Sequence, residues 1–197
     1  FYANDLSHAA AHGWEMTFSG GNRLWGNKLI GNAICGVWGG YSSYTRIEYN
    51  TFEGNGGMPY GDEGGAINIE HGSNNIIRFN TFTNDTTGVR LWWDDDGRLL
   101  ELPGVVEAGH TVTGNVITRN TFVFNEEHPF AGERHAERTF RGVWLQDLSG
   151  GGGRVSGNFV FGNRWEGEHP RFVREDYQPG TEPEGEKRMS APGRRNH

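Results

Sequence analysis

The sequence predicts an all-β solenoid, a chain wound into coils of short parallel strands, and three observations carry that expectation. An asparagine, an apolar residue two positions later and a second asparagine five positions later recur as a unit along the chain. In the first copies an apolar strand led by glycine precedes the unit at a constant distance. The composition agrees: 17 asparagines and 32 glycines in 197 residues, with 34% hydrophobic and 13% aromatic residues, suit turns joined by short apolar stretches rather than a helix bundle.

The copies are Asn27-Leu29-Asn32, Asn50-Phe52-Asn55, Asn80-Phe82-Asp85, Asn120-Phe122-Asn125 and Asn158-Val160-Asn163, with Leu24, Ile47, Ile77, Ile117 and Val155 three residues ahead. Their leading asparagines are 23, 30, 40 and 38 residues apart, which a basic coil of 23 residues with loop insertions explains. The glycine-led strands begin at Trp14, Val37 and Ile67, each 13 residues before its asparagine, and at Val89 and Val143, where insertions change the gap to 31 and 15. Short strands in such coils stack in parallel about 4.8 Å apart and bury their inward side chains against the next coil. The asparagines are expected to form a ladder, bonding the neighbouring coil's amide or the turn backbone, because asparagine tolerates the left-handed backbone region. Phe52, Phe82 and Phe122 then fall in one internal column.

This pattern resembles the right-handed parallel β-helix repeats of the pectate-lyase-like superfamily, especially its carbohydrate-binding and sugar-hydrolase repeats, over residues 1–165. The resemblance implies a single-stranded, right-handed parallel β-helix of about five to six coils with loop insertions. It also implies a polysaccharide or oligosaccharide partner and a secreted, periplasmic or cell-surface location. Phe1, Asn4 and Leu6 fit the template from its middle, so the chain is expected to start mid-coil as a fragment, with the rest of a longer β-helix chain as a partner. From 166 to 197 the repeat stops. Four prolines, seven acids and six bases there predict a polar C-terminal tail, partly extended or disordered, whose first part docks through Trp165, Phe172, Val173 and Tyr177.

Several classes are excluded. The net charge is −7 and the only lysines are Lys28 and Lys187, which argues against a nucleic-acid partner. The single cysteine, Cys35, rules out an internal disulfide framework. No apolar run approaches the roughly 18 residues a membrane span needs.

Alternate residues of the glycine-led strands, at 14–18, 37–41, 67–71, 89–93 and 143–147, point outward. One outward column runs Glu15, Trp38, Asn68, Arg90, Trp144; the next runs Thr17, Gly40, Glu70, Trp92, Gln146; the inward column between them is Met16, Gly39, Ile69, Leu91, Leu145. Insertions at 55–65 and 126–141 enter just before these strands, and 94–110 leaves just after, so loops are expected to wall a trough. Indole faces stack on sugar C–H faces while amides and charged groups bond to hydroxyls. Trp38, Asn68, Trp92, Trp144, Gln146, Glu15 and Asp147 are therefore the candidate substrate-binding residues.

The ionisable candidates in the trough are Asp62, Glu63, Glu70, His71, Arg90, Asp94, Asp95, Asp96 and Asp147. Glycosidic-bond hydrolysis needs one protonated carboxyl and one ionised partner. Glu70, predicted to lie beside Trp92, suits the acid, because an apolar wall raises a carboxyl pKa. Asp94 or Asp95 supplies the partner, with His71 as an orienting group or proton shuttle; in the lyase or epimerase alternative Arg90 is the base or clamp. The structural alternatives are a solvated turn at Asp94–Asp96 and a Glu70–Arg90 ion pair. No cofactor is predicted, and Ca²⁺ held by Asp94, Asp96 and Glu63 is the alternative. The function read is a glycoside hydrolase, against a polysaccharide lyase or epimerase using Ca²⁺ on uronic glycans, or a non-catalytic glycan-binding or structural repeat. The paired Asp, Gly-His-Gly and Arg-Ile-Lys set of the polygalacturonase branch is missing, as is the Asp-Pro-His motif of the epimerase branch.

Overall fold

The computed structural model describes residues 1–125, 140–149, 153–167 and 171–175. Among the described residues three long parallel sheets run along one axis, with a short two-stranded parallel sheet, β11 (Val112–Thr113) with β15 (Val155–Ser156), beside them. The first joins β1 (His12–Glu15), β4 (Cys35–Gly40), β7 (Gly65–Glu70), β10 (Thr87–Trp93), β14 (Arg141–Asp147) and β18 (Arg171–Glu175) in that order. The second joins β2 (Arg23–Trp25), β5 (Arg46–Glu48), β8 (Ile76–Arg78), β12 (Val116–Thr118) and β16 (Phe159–Phe161). The third joins β3 (Lys28–Ile30), β6 (Thr51–Glu53), β9 (Thr81–Thr83), β13 (Thr121–Phe124) and β17 (Arg164–Gly167). Because each strand pairs with its counterpart one coil on, this is the parallel β-helix the sequence predicts.

The register of the first sheet reproduces the aligned columns. Trp14, Val37, Ile67, Val89 and Val143 are partners in succession, as are Glu15, Trp38, Asn68, Arg90 and Trp144. The first three strands end earlier than expected, whereas β10 and β14 end at Trp93 and Asp147 as expected. Phe18, Tyr41 and His71 take φ of 49°, 55° and 51°, left-handed values that turn the chain out of the sheet.

The asparagine ladder is continuous. Asn27, Asn50, Asn80, Asn120 and Asn163 each accept, at Oδ1, the backbone N–H and the side-chain Nδ2 of the rung before, at 2.9–3.1 Å for Asn4 to Asn27 and 2.9–3.0 Å at the later rungs. The last rung corrects the alignment: Asn163, 43 residues on, follows Asn120, while Asn158 belongs to a parallel ladder through Asn75 and Asn115. The reason is that asparagines recur five residues apart within a coil, as at Asn115, Asn120 and Asn125, so a slip by one corner preserves the motif. The left-handed residues also differ from the expected ones. Gly26, Tyr49, Phe79, Arg119 and Gly162, each just ahead of a rung, take φ near 60° (67°, 58°, 57°, 55° and 62°), and the asparagines contribute hydrogen bonds instead.

Leu24, Ile47, Ile77 and Ile117 fill the interior with the inward residues of the first sheet. Phe52, Phe82, Phe122 and Trp165 stack in one column, with centroids 5.0, 4.7 and 4.5 Å apart. That column explains the strand-leading glycines: a Cβ on Gly88 would lie 2.5 Å from the Phe122 ring, and one on Gly36 3.0 Å from Phe52.

Strand pairing crosses the expected boundary at 165, since β17 and β18 extend two sheets. The side chains of Phe172 and Val173, residues 176–197 and most of the 126–141 insertion, 126–139, lie outside the described residues. No helix among the described residues is long and apolar enough to cross a membrane.

Candidate functional site

The site is built at the end of β7. Glu70 is its last residue and points outward; His71 follows in the left-handed corner, which swings its ring over the core edge, where it is fully buried. The segment leaving β10 brings Asp94 and Asp96 over this ring, continues through a 3₁₀ turn (Gly97–Glu101) and helix α1 (Pro103–Ala108), and returns at His110. Tyr41, one coil earlier, stacks on His71 with centroids 4.6 Å apart and planes 7° off parallel, while its hydroxyl donates to Asp96 Oδ2 at 2.6 Å.

This packing sets the proton positions. His71 Nδ1 lies 3.1 Å from the carbonyl oxygen of His110, so Nδ1 is the donor and Nε2 faces two carboxyls, Asp94 Oδ1 at 3.0 Å and Glu70 Oε1 at 3.5 Å. Burial works to lower the His71 pKa, but the contacts with Glu70 and Asp94 outweigh it and raise it. Glu70 is also raised, chiefly by burial and then by the hydrogen bond and charge of Asp94, with His71 opposing. The Tyr41 phenol is pushed up by burial and by Asp96, which keeps it a donor. His110 is lowered by burial and by the charges of His71 and Arg154.

The predicted site residues separate into groups. Glu70, His71 and Asp94 come together as the catalytic reading expects. Asp95 does not: it is exposed and caps its own turn, accepting the Gly97 N–H at 3.1 Å. Arg90 does not pair with Glu70. It is sandwiched between Trp92 and Trp144, its guanidinium carbon 5.0 and 4.2 Å from their rings, and bonds to Asp62 Oδ1 at 2.9 Å and to Gln146.

The expected trough is roofed at its centre. The 55–65 loop lies on β7 and β10, and Asn68, fully buried, donates to the carbonyls of Asp62 and Gly64 while accepting the Trp92 indole N–H at 2.7 Å. Asn68, Trp92, Arg90 and Gln146 are thus buried: Asn68 and Arg90 bond to the insertion, and beneath it Trp92 donates to Asn68 while Gln146 accepts from Arg90. Asp147 is likewise buried, accepting N–H groups of Ser149 and Arg154. Trp38 and Trp144 stay half-buried; Glu15 is exposed and accepts the Thr17 hydroxyl.

Glu63 lies apart from the aspartates, paired with His12 at 3.3 Å, so the expected Asp94, Asp96 and Glu63 trio is not assembled. Glu70, His71, Asp94 and Asp96 instead offer ligand atoms all within 4.8 Å of one another. Tyr41 and His110 escaped the sequence reading. Tyr41 was within reach, since Gly40 pairs with Glu70 and the next position in that column is His71; His110 acts through its carbonyl, which no side-chain pattern reveals.

The coil stack and the insertion-capped cluster define a parallel β-helix with a polar site at one edge of its first sheet. The family model for the right-handed beta helix region matches residues 1–102, and the chain belongs to that family, which sets the hand of the coil. No curated protein and no solved structure matches the chain.

Proposed function

We propose that the protein is a polysaccharide-active enzyme, a glycoside hydrolase that uses Glu70 as general acid and Asp94 as the ionised partner. The observation that carries this reading is the meeting of the two carboxyls at His71 Nε2, 3.5 and 3.0 Å away, with Glu70 held protonated toward higher pH by burial. Their oxygens lie within 4.8 Å of each other. That bound lies below the separation of about 6.5–9.5 Å at which an inverting enzyme holds its carboxyls and nearer the separation of about 5–5.5 Å in a retaining one, which favours retention. Glu70 would protonate the leaving oxygen while Asp94 attacks the anomeric carbon; Glu70, now a base, would take a proton from the water that releases the sugar. His71, locked by the His110 carbonyl, stabilises the Asp94 carboxylate between steps. Such an enzyme would meet its glycan outside the cytoplasm, in the periplasm or at the cell surface.

A second reading rests on the four converging ligand atoms: a divalent cation such as Ca²⁺ at Glu70, His71, Asp94 and Asp96 would serve a lyase or epimerase on uronic glycans. A panel of neutral and uronic polysaccharides, assayed with and without chelator, separates the two. Reducing ends that form without unsaturated product and resist chelator support hydrolysis. Absorbing unsaturated ends that vanish with chelator overturn it, and binding without turnover leaves a glycan-binding repeat protein.

A further inference from the structure

The chain carries a net charge of −7, yet the outer face of its second sheet is basic. The strands of that sheet and the turns beside them, residues 20–26, 43–49, 73–79, 113–119 and 156–162, hold Arg23, Arg46, Arg78 and Arg119 against one acid, Glu48. Leu24, Ile47, Ile77, Ile117 and Val160 point into the core, so the residues on either side of each point outward. Arg23 is the strand partner of Arg46, and Glu48 that of Arg78. Glu48 is buried beneath two of the arginines, its oxygens accepting Arg23 Nε at 3.2 Å and Arg78 Nε at 2.6 Å. Those two side chains still keep 60% and 40% of their surface open to solvent. Arg46 and Arg119 are exposed, and neither has an acidic partner among the described residues. The face therefore presents an excess of positive charge, with like charges on neighbouring strands, an arrangement that an anion relieves.

The form of the patch narrows the choice of anion. Its arginines come from four consecutive coils, a row about 14 Å long at about 4.8 Å per coil, which suits anionic groups repeated along an extended polymer better than one small ion. An aromatic stack runs along its edge: Tyr2 lies on Trp25 and Tyr49 on Phe79, each pair with centroids 4.9 Å apart. The guanidinium carbons of Arg78 and Arg119 sit 5.4 and 5.6 Å over the Phe79 ring, which holds them in place and lowers the cost of ordering them on a ligand. Rings that cover one another leave few open faces for bases, the means by which single-stranded nucleic acids are bound. We propose that this face docks an anionic polysaccharide, its carboxylates or sulfate esters received by Arg46 and Arg119 with Arg23 and Arg78 beside them. Guanidinium groups match such oxyanions in shape and charge. The choice of a sugar polymer rests on the reading that the protein acts on glycans; the choice of an anionic one rests on this face. The surface lies on a different sheet from Glu70 and His71, so it holds the polymer rather than cleaving it.

The test is calorimetric titration of the whole chain, at fixed low ionic strength, with polygalacturonate, dextran sulfate, neutral dextran and single-stranded oligothymidylate. Polygalacturonate, dextran sulfate or both should bind, more weakly as salt is added, while dextran does not. Which polyanion binds distinguishes a carboxylate from a sulfate surface. The double variant Arg46→Gln/Arg119→Gln removes the two guanidinium groups that pair with no acid and should weaken binding about tenfold, as loss of two charge-assisted contacts does. If the double variant loses its native circular dichroism, the two substitutions are read singly. Equal binding of dextran, no binding of either polyanion, tighter binding of oligothymidylate, or affinity unchanged by these substitutions overturns the proposal. Because no turnover is measured, failure here leaves the hydrolase reading of Glu70 and Asp94 standing, and inactivity on glycans leaves this docking surface standing.

Discussion

Asp85 stands where the ladder would place an asparagine, and replacing it with one should stabilise the protein increasingly as pH rises. Its Oδ1 accepts the Asn55 backbone N–H at 2.8 Å and Asn55 Nδ2 at 2.7 Å, as any rung does. Its Oδ2 occupies the place of the rung's amide nitrogen and has no partner among the described residues. At Asn75 and Asn80 that nitrogen donates to a carbonyl 33 residues back, of Ser42 and Ile47, so at Asp85 the equivalent acceptor is Phe52. Two oxygens face each other there unless Asp85 keeps its proton, and burial raises its pKa from 3.8 to about 8. Since the folded-state pKa is the higher one, this group's contribution is complete below pH 3.8 and is lost as pH climbs toward about 8. At about 1.4 kcal/mol per unit, the loss reaches on the order of 4 kcal/mol at pH 7. The adjoining cavity of about 20 Å³ has room for roughly one water, and hydration of the ionised form from there would reduce the loss. Asp85→Asn is expected to add about 1 to 4 kcal/mol at pH 7. Urea unfolding followed by circular dichroism at pH 5 and pH 8 checks this. A gap between variant and parent that widens with pH agrees; a gap that is constant, or that narrows, refutes the reasoning.

Other consequences follow from the packing and from the site. Phe82→Ala opens the centre of the aromatic column, with Phe52 and Phe122 stacked on its two sides, and should cost about 3–5 kcal/mol in denaturant unfolding. Tyr41→Phe keeps the ring on His71 but removes the donor to Asp96; it should cost about 1–3 kcal/mol and lower glycan turnover by loosening the 94–96 segment. Glu70→Gln should abolish turnover on whichever glycan the parent cleaves while leaving the unfolding midpoint within about 1 kcal/mol of the parent's. In the parent, activity should fall as pH rises through the elevated Glu70 pKa, because deprotonation removes the acid.

The coil stack was legible because it repeats: each inward column of the first sheet and the Phe52-Phe82-Phe122 column follow from aligning short motifs. The same repetition caused the one alignment error, since a motif that recurs at successive corners of a coil cannot tell Asn158 from Asn163. Glu70, His71 and Asp94 were legible as neighbours because β7 and β10 are adjacent and Asp94 directly follows β10. Residues whose fate depends on an insertion were not. Period-two alternation gives the direction of Asn68 and Arg90 correctly, but nothing in it says that the 55–65 loop folds down to take their hydrogen bonds. Loop conformation is set by such side-chain contacts, which leave no periodic trace in sequence.

The claim at the centre of this account is that Glu70 and Asp94 share a proton-rich site at His71, and carboxyl ¹³C NMR titration of the intact protein tests it most directly. The account predicts that Glu70 titrates above the ordinary glutamate value of about 4.3 and that Asp94→Asn, by removing the neighbouring charge, brings it down. A Glu70 midpoint at or below the ordinary value, unmoved by Asp94→Asn, would contradict it.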